Sequence, residues 1–261
     1  MNKDLVRQIA VVATLAITLA VNALANIIPF NGITTGEVSE KYLTFFTPVN
    51  ETFSIWGAIY VLLALYAGYQ ALKTQRDTKD LVRTGWWFVA ASLLNSLWMF
   101  MWHYDQIYLS VAVMLALLAC LIVIYARLGI GMKKISHARR LMVHLPFSVY
   151  LGWISVATIA NISSALAKLE WTAWGIDPEL WGSLMAIIAG FIAVVVLFTR
   201  HDYAYAIVIV WALIGIAIKF DTYVFISTFT DLTALVVVMT VPVAMVMRRR
   251  LVKMGRHQEP V

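Results

Sequence analysis

Apolar residues in this chain fall into eight runs separated by polar segments. A helix needs about 20 mostly apolar residues to cross the hydrocarbon layer of a bilayer, and each run approaches that length. The sixth and seventh runs are the shortest, and only residues 200–202 separate them, which predicts a helical hairpin. We therefore predict an all-α, polytopic membrane protein with about eight transmembrane helices. The predicted spans are residues 5–28, 53–72, 85–103, 108–128, 143–166, 183–199, 203–220 and 228–247.

The first run carries polar residues at every fourth position, namely Thr14, Thr18, Asn22 and Asn26. On a helix this spacing makes one stripe, and such a stripe is expected to face other helices rather than lipid. The charged start and the Ala-Leu-Ala sequence at 23–25 also resemble a cleavable signal peptide. Because the apolar run is long and continues to residue 28, we favour a retained helix.

Aromatic and amide residues recur at helical spacing in the second, third and fifth runs. The residues that share faces in this way are Trp56 with Tyr60, Asn95 with Ser92, Trp98 and Trp102, and Trp153 with Ala157 and Asn161. An amide in hydrocarbon is costly without a partner, so these asparagines and those of the first run are expected to point inward. Two interpretations remain open. The amides join helices while the aromatic rings fill volume, or together they form a flat apolar pocket whose amides orient a ligand.

Composition supports the membrane assignment, since 62% of the residues are hydrophobic and only 13% are charged. Soluble domains are usually about half apolar and about one quarter charged. The net charge of +6 does not indicate nucleic-acid binding, because the lysines and arginines flank the apolar runs. With the N-terminus in the cytoplasm, 17 of the 20 lysines and arginines fall in cytoplasmic segments, which predicts an N-in, C-in topology.

The sequence carries no recognisable motif for catalysis or metal binding. A single cysteine, Cys120, excludes a disulfide within the chain, and the five histidines form no ligand-spaced pair. No phosphate-binding glycine loop, zinc-protease motif or nucleophile elbow occurs. We therefore predict no catalytic residue, no metal site and no obligatory cofactor.

Three short segments carry a more specific pattern. Residues 48–60 are Pro-Val-Asn-Glu-Thr-Phe-Ser-Ile-Trp-Gly-Ala-Ile-Tyr, residues 94–98 are Leu-Asn-Ser-Leu-Trp, and residues 153–161 are Trp-Ile-Ser-Val-Ala-Thr-Ile-Ala-Asn. In this order they resemble the first loop and second helix, the third helix and the fifth helix of the TspO/MBR family. Members of that family are also called tryptophan-rich sensory proteins or translocator proteins. The resemblance covers about residues 5–168.

This resemblance implies a TspO-like five-helix bundle at residues 1–168, whose cavity binds flat apolar ligands such as porphyrins beneath the first loop. The ligand-binding residues that it implies are Trp56, Tyr60, Asn95, Trp98, Trp153, Ala157 and Asn161. The chain departs from the family pattern because the family's paired prolines and loop tryptophan before the second helix are missing. Three additional transmembrane helices at 169–250 and a basic cytoplasmic tail at 251–261 also follow the predicted bundle.

The leading functional prediction is a membrane receptor or carrier for a porphyrin-like or tetrapyrrole-like metabolite. No histidine falls in the middle of a span, so stacking and amide contacts are expected rather than ligation of an iron. An eight-helix secondary transporter is the alternative, and a porphyrin-degrading enzyme is suggested by the family resemblance alone. The expected partners are the lipid bilayer and a small apolar ligand, with a homodimer left open. The basic inner segments suggest a bacterial cytoplasmic membrane.

Overall fold

The computed structural model describes residues 2–42 and 44–256, and among these it contains helices and no strand. Each of the eight apolar runs contains one long helix, so the all-α prediction is confirmed. Two short helices, the second and the sixth, lie in the connections. In chain order the helices are α1 (Lys3–Ile27), α2 (Thr35–Glu40), α3 (Ile55–Ala71), α4 (Lys79–His103), α5 (Ile107–Leu128), α6 (His137–Arg139), α7 (Leu145–Lys168), α8 (Pro178–Arg200), α9 (Tyr203–Lys219) and α10 (Val224–Arg256).

Six segments of the described chain are long and apolar enough to cross a bilayer. They are Lys3–Ile27, Asn50–Ala71, Ile107–Leu128, His137–Lys168, Pro178–Arg200 and Val224–Arg248. The α9 helix is apolar but has only 17 residues. The α4 helix is not one of the six, and it carries polar residues such as Ser92, Asn95 and Ser96, which its neighbours bury.

Local signals account for where several helices begin and end. The Asn2 side chain accepts a hydrogen bond of 2.9 Å from the backbone N–H of Asp4 and so caps the start of α1. Asp177 and Asp202 cap α8 and α9 in the same way. The α5 helix ends at Gly129, whose φ of 65° lies in the left-handed region that glycine adopts without strain.

The polar stripe of α1 packs against α4. Thr18 Oγ1 donates a hydrogen bond of 2.9 Å to the carbonyl of Ser92, and Asn22 Nδ2 donates one of 2.8 Å to Asn95 Oδ1. Up to Asn22 the stripe is buried, which confirms the prediction that it faces another helix. For Asn26 the prediction was wrong. It is exposed in the last turn of α1, where its amide donates back to the carbonyl of Asn22.

The last three helices join the first bundle through α9. Gly152 of α7 allows a close approach, because a Cβ there would lie 3.2 Å from the carbonyl oxygen of Tyr205. The Tyr205 hydroxyl donates to Ser155 Oγ at 2.9 Å, and the Tyr125 hydroxyl donates to Asp202 Oδ2 at 2.8 Å. The α8 and α10 helices pack on each other and on α9, which makes a second layer beside α7.

Contacts between the connections define two ends of the molecule. At one end Arg7 Nη2 donates to the carbonyl of Arg76 at 2.7 Å, and Lys133 pairs with Asp80 at 3.2 Å. We call it the basic end, formed by residues 2–7, 72–83, 127–144, 200–202 and 248. The loop end, formed by residues 28–42, 44–54, 104–106, 169–177 and 220–223, lies opposite.

The two largest differences from the predicted spans are at the start of α4 and at the end of α10. The α4 helix begins at Lys79, because its first turns are amphipathic and bury Leu81 and Thr84 against the bundle while their charged residues face outward. The α10 helix continues to Arg256, so residues 251–256 of the predicted tail are helical. Residues 257–261 lie outside the described part of the chain.

Candidate functional site

A cavity lined by aromatic side chains lies between α3, α4 and α7, and the α1–α3 loop (described residues 28–42 and 44–54) covers it. We call it the aromatic cavity. Five of the seven residues singled out from the sequence line it, namely Trp56, Trp98, Trp153, Ala157 and Asn161. The loop contributes Thr35, Ser39, Thr47, Pro48 and Phe53 to the wall. The structure thus brings tryptophans from three separate helices to one interior space.

The aromatic rings of this cavity pack in two different ways. Trp153 meets both Trp56 and Phe53 edge to face, with ring centroids 6.1 Å and 5.8 Å apart. Trp98 and Trp102 stack nearly parallel, with centroids 5.5 Å apart and an interplanar angle of 20°. These are the favourable arrangements for aromatic pairs. The wall is therefore built from both stacked and edge-on aromatic rings.

Polar atoms in the cavity wall are few. Asn161 Oδ1 accepts a hydrogen bond of 3.0 Å from Trp98 Nε1, and Asn161 Nδ2 donates one of 2.8 Å to Ser110 Oγ. These two bonds assign the orientation of the amide. Trp153 is only 2% exposed, and its indole N–H has no hydrogen-bond partner in the described chain. A buried donor without a partner is costly, so a hydrogen-bond acceptor placed beside this N–H would be favourable.

The other two residues singled out from the sequence lie outside the cavity wall. Asn95 accepts from Asn22 and donates to the Tyr150 hydroxyl at 3.0 Å, so its amide links α1, α4 and α7. Tyr60 stacks on Trp56 with ring centroids 5.5 Å apart. In this structure Asn95 holds helices together, and Tyr60 supports the ring of a wall residue.

The α1–α3 loop is fastened to the end of α4. Trp102 Nε1 donates to the carbonyl of Thr35 at 3.1 Å, and the Thr35 hydroxyl lies 3.0 Å from His103 Nε2. His103 Nδ1 lies 3.2 Å from the carbonyl of Phe30, which can only accept. These contacts assign the proton of His103 to Nδ1 and make Nε2 the acceptor for Thr35. The buried imidazole therefore connects two points of the loop to α4.

The same loop is fastened to α9. Trp211 Nε1 donates to the carbonyl of Thr52 at 3.0 Å, and the backbone N–H of Val49 donates to the carbonyl of Gly215 at 3.1 Å. A Cβ at Gly215 would lie 2.0 Å from Thr52 Oγ1, so only glycine permits this approach. The α9 helix of the second layer thus binds the loop that covers the aromatic cavity.

A third fastening links the loop to the start of α5 and the end of α7. The Tyr42 hydroxyl donates to Asp105, and Lys168 Nζ lies 3.0 Å from Asp105 Oδ2. Burial alone would raise the pKa of Asp105, but the hydrogen bonds from Tyr42 and Lys168 outweigh it and lower that pKa. Asp105 is therefore ionised at neutral pH, and it joins Tyr42 of the loop to Lys168 of α7.

Comparison with known proteins identifies the family. A family model described as TSPO-like protein matches residues 8–247. The chain belongs to the TSPO-like family. The match confirms the resemblance seen in the three sequence segments, and it extends from α1 into α10, so the last three helices lie within the family pattern. Together with the apolar helices, it identifies an integral, multi-pass membrane protein. No curated protein and no solved structure matches the chain.

Several residues of this site were not among the ligand-binding residues predicted from the sequence. Helical spacing placed Trp102 on the same face as Asn95 and Trp98, but the family resemblance implied no binding role for it. Trp211 and Gly215 sit in a uniformly apolar run far along the chain, and no local pattern links them to residues 49–52. Their role depends on packing between two layers of helices.

The aromatic cavity is narrow in this structure. The space open to the centre of a water molecule is about 40 Å³. Pockets for drug-sized ligands usually measure about 300–1,000 Å³. A flat ligand of tetrapyrrole size would therefore need the covering loop or the ring of a wall residue to move.

Proposed function

We propose that this TSPO-like protein is a membrane receptor or carrier that binds a flat apolar metabolite of the porphyrin or tetrapyrrole class in the aromatic cavity. The observation that carries the proposal is the unpartnered indole N–H of Trp153 among the stacked and edge-on rings of the wall. Such a donor suits a ligand that is apolar over most of its surface and carries an acceptor, such as a porphyrin propionate.

The proposed membrane arrangement uses all eight long helices as spans, with both chain ends in the cytoplasm. The 17 residues of α9 give a helix about 26 Å long, close to the hydrocarbon thickness of about 30 Å. The polar groups of α4 are compatible with a span, because neighbouring helices bury and pair them. The basic end would then face the cytoplasm, and the loop end with the aromatic cavity would face outward.

In the proposed mechanism the α1–α3 loop detaches and admits the ligand. Trp56, Trp98 and Trp153 then stack against the ring system, and Trp153 Nε1 donates to the acceptor of the ligand. Asn161 is already held by Trp98 and Ser110, so it positions the ring of Trp98. The loop returns over the ligand because its hydrogen bonds to α4 and α9 can form again.

The test is a titration of the purified protein with a metal-free porphyrin, followed by the porphyrin absorbance band. The metal-free form is chosen because no histidine lines the described wall of the cavity. Trp153→Phe keeps an aromatic ring and removes the N–H, so binding is expected to weaken about tenfold. Trp86→Phe is the matched control, since Trp86 is 53% exposed on α4 outside the cavity.

Two results would contradict this function. The ligand class is wrong if the wild-type protein shows no saturable change in the porphyrin band. The assignment of the site is wrong if Trp86→Phe weakens binding as much as Trp153→Phe does. Haem should bind no more tightly than the metal-free porphyrin, because no imidazole of the described wall is available to its iron.

A secondary transporter is the second candidate function. The observation in its favour is that two helices are irregular: Arg140–His144 is π-helical before α7, and Pro242 lies inside α10. Interrupted helices are typical of transporters. Porphyrin uptake into proteoliposomes that follows an imposed proton or voltage gradient would favour this function. Binding that is saturable but insensitive to the gradient would favour the receptor.

A further inference from the structure

A second cavity lies at the basic end, on the side of the molecule opposite the aromatic cavity. It measures about 360 Å³ and lies between the α5–α6 connection, the start of α7, the α8–α9 turn and Arg248 of α10. We call it the basic pocket. Its lysine, arginine and histidine side chains are Lys133, Arg140, His144, His201 and Arg248. Its size suits a small ligand or a lipid headgroup.

The charges in the wall of the basic pocket do not balance. Asp202 is the acidic residue of the wall, and both of its oxygens are occupied, by the Tyr125 hydroxyl at 2.8 Å and by the backbone N–H of Tyr205 at 3.2 Å. Arg140 and Arg248 have no ion-pair partner among the described side chains. The pocket therefore has an excess of positive charge that a bound anion would neutralise.

Two imidazole nitrogens in the wall lack a partner. His144 is only 6% exposed, and its Nε2 is buried with no hydrogen bond to the described chain. The same holds for Nδ1 of His201 in the α8–α9 turn. Native proteins rarely leave buried polar atoms unsatisfied, so such atoms call for a ligand, ion or water. His144 also belongs to the π-helical segment, a distortion that is frequent at functional sites.

The first turn of α9, which Asp202 caps at the N–H of Tyr205, also forms part of the wall of this pocket. Tyr203 and Ala204, its first two residues, both line the wall, and the first N–H groups of a helix have no partner within the helix. The positive end of the helix dipole favours an anion there. The α5–α6 connection packs tightly on the end of α8, since a Cβ at Gly131 would lie 1.5 Å from the carbonyl oxygen of Arg200.

We propose that the basic pocket binds a phosphate group, with Arg140 and Arg248 pairing with its oxygens and His144 and His201 donating from their free ring nitrogens. The phosphate belongs to an anionic lipid headgroup or to a soluble phosphate compound. Leu145 and Ile207 also line the pocket, and Ile207 is 65% exposed on the outer face of α9, where an acyl chain could lie. The chemistry of recognition is the same for both sources.

The experiment uses the full chain, purified in a neutral detergent, with two probes. Phosphatidylglycerol, compared with phosphatidylcholine, is followed by native mass spectrometry of the lipid-bound protein. Pyrophosphate, at constant ionic strength, is followed by isothermal titration calorimetry. Arg140→Gln and Arg248→Gln each remove one guanidinium, and each is expected to weaken the binding of the active probe about tenfold. The probe that binds identifies the source of the phosphate.

Lys134→Gln is the matched control, because Lys134 is exposed beside Lys133 but does not line the pocket. It removes the same charge and should leave binding within a factor of two. His144→Gln gives a second measurement, since it should weaken binding while the protein keeps its thermal midpoint. The proposal is overturned if neither probe binds the wild-type protein. It is equally overturned if Lys134→Gln weakens binding as much as Arg140→Gln, which would indicate nonspecific attraction to a basic surface.

Discussion

At the scale of single residues, Arg7 shows how a cation is accommodated inside the bundle. It is 1% exposed, and its guanidinium donates to the carbonyls of Leu81 at 2.9 Å and Arg76 at 2.7 Å. The Arg7 side chain lies across Gly85 of α4. Any residue other than glycine at position 85 would place its Cβ too close to the Arg7 side chain. Together with the hydrogen bonds of Gln8 to Gln70, Leu72 and Arg76, Arg7 therefore joins the start of α1 to the α3–α4 connection.

Gly85→Ala tests this packing. The added Cβ would lie 2.7 Å from Cδ of Arg7, and Arg7 cannot move aside without losing its hydrogen bonds. The expected destabilisation is about 1–3 kcal/mol, as for other overpacked sites, and it is measured as a fall in the thermal unfolding midpoint. Gly68→Ala on α3 is the control, because nothing lies within 4 Å of its Cβ position. Equal midpoints for the two variants would contradict the role assigned to Arg7.

The sequence predicts which face of a helix a residue occupies, but it does not predict which residue of a neighbouring helix that residue contacts. Spacing placed Asn95 and Trp98 on one inward face, and both are buried. It could not tell that Asn95 would meet Asn22 while Trp98 would meet Asn161, because each pairing depends on the rotation of a second helix. Whether an inward amide joins helices or faces a cavity is therefore decided by packing.

At the scale of elements, the α1–α3 loop is the part of the site on which the proposed mechanism depends. Hydrogen bonds hold this loop at three separate places. Thr35 bonds to the end of α4, Tyr42 bonds to Asp105, and Thr52 bonds to α9. Between these contacts the loop also buries apolar side chains, since Val38 and Phe46 are almost fully buried. Opening the loop therefore breaks a few hydrogen bonds and exposes some apolar surface, while the long helices stay folded.

Trp211→Phe tests the fastening to α9. It keeps the ring and removes the hydrogen bond to the carbonyl of Thr52, so residues 49–54 should exchange their amide hydrogens about fivefold to tenfold faster. Hydrogen–deuterium exchange measures this directly. The same substitution at exposed Trp86 should change nothing in that segment. Unchanged exchange in Trp211→Phe would mean that α4 and Asp105 hold the loop without α9.

At the scale of the whole molecule, the number and order of the long helices followed from the apolar runs, since each run contains one helix. The position of the second layer did not follow. Association of helices in lipid depends on small residues that permit close approach, and the decisive ones, Gly152 and Gly215, are two of 13 glycines in the chain. The sequence alone does not distinguish them from Gly57 or Gly68, which face open space.

The α9 helix contributes to both ends of the molecule, because Tyr203 and Ala204 line the basic pocket while Gly215 holds the covering loop. Gly152→Leu would insert a side chain where α7 and α9 are closest and so push the whole helix away from α7. Hydrogen exchange should then rise in two distant segments, residues 49–54 and residues 200–206, and Gly68→Leu should raise neither. If exchange rises only beside Gly152, then α9 bends locally, and the two cavities are structurally independent.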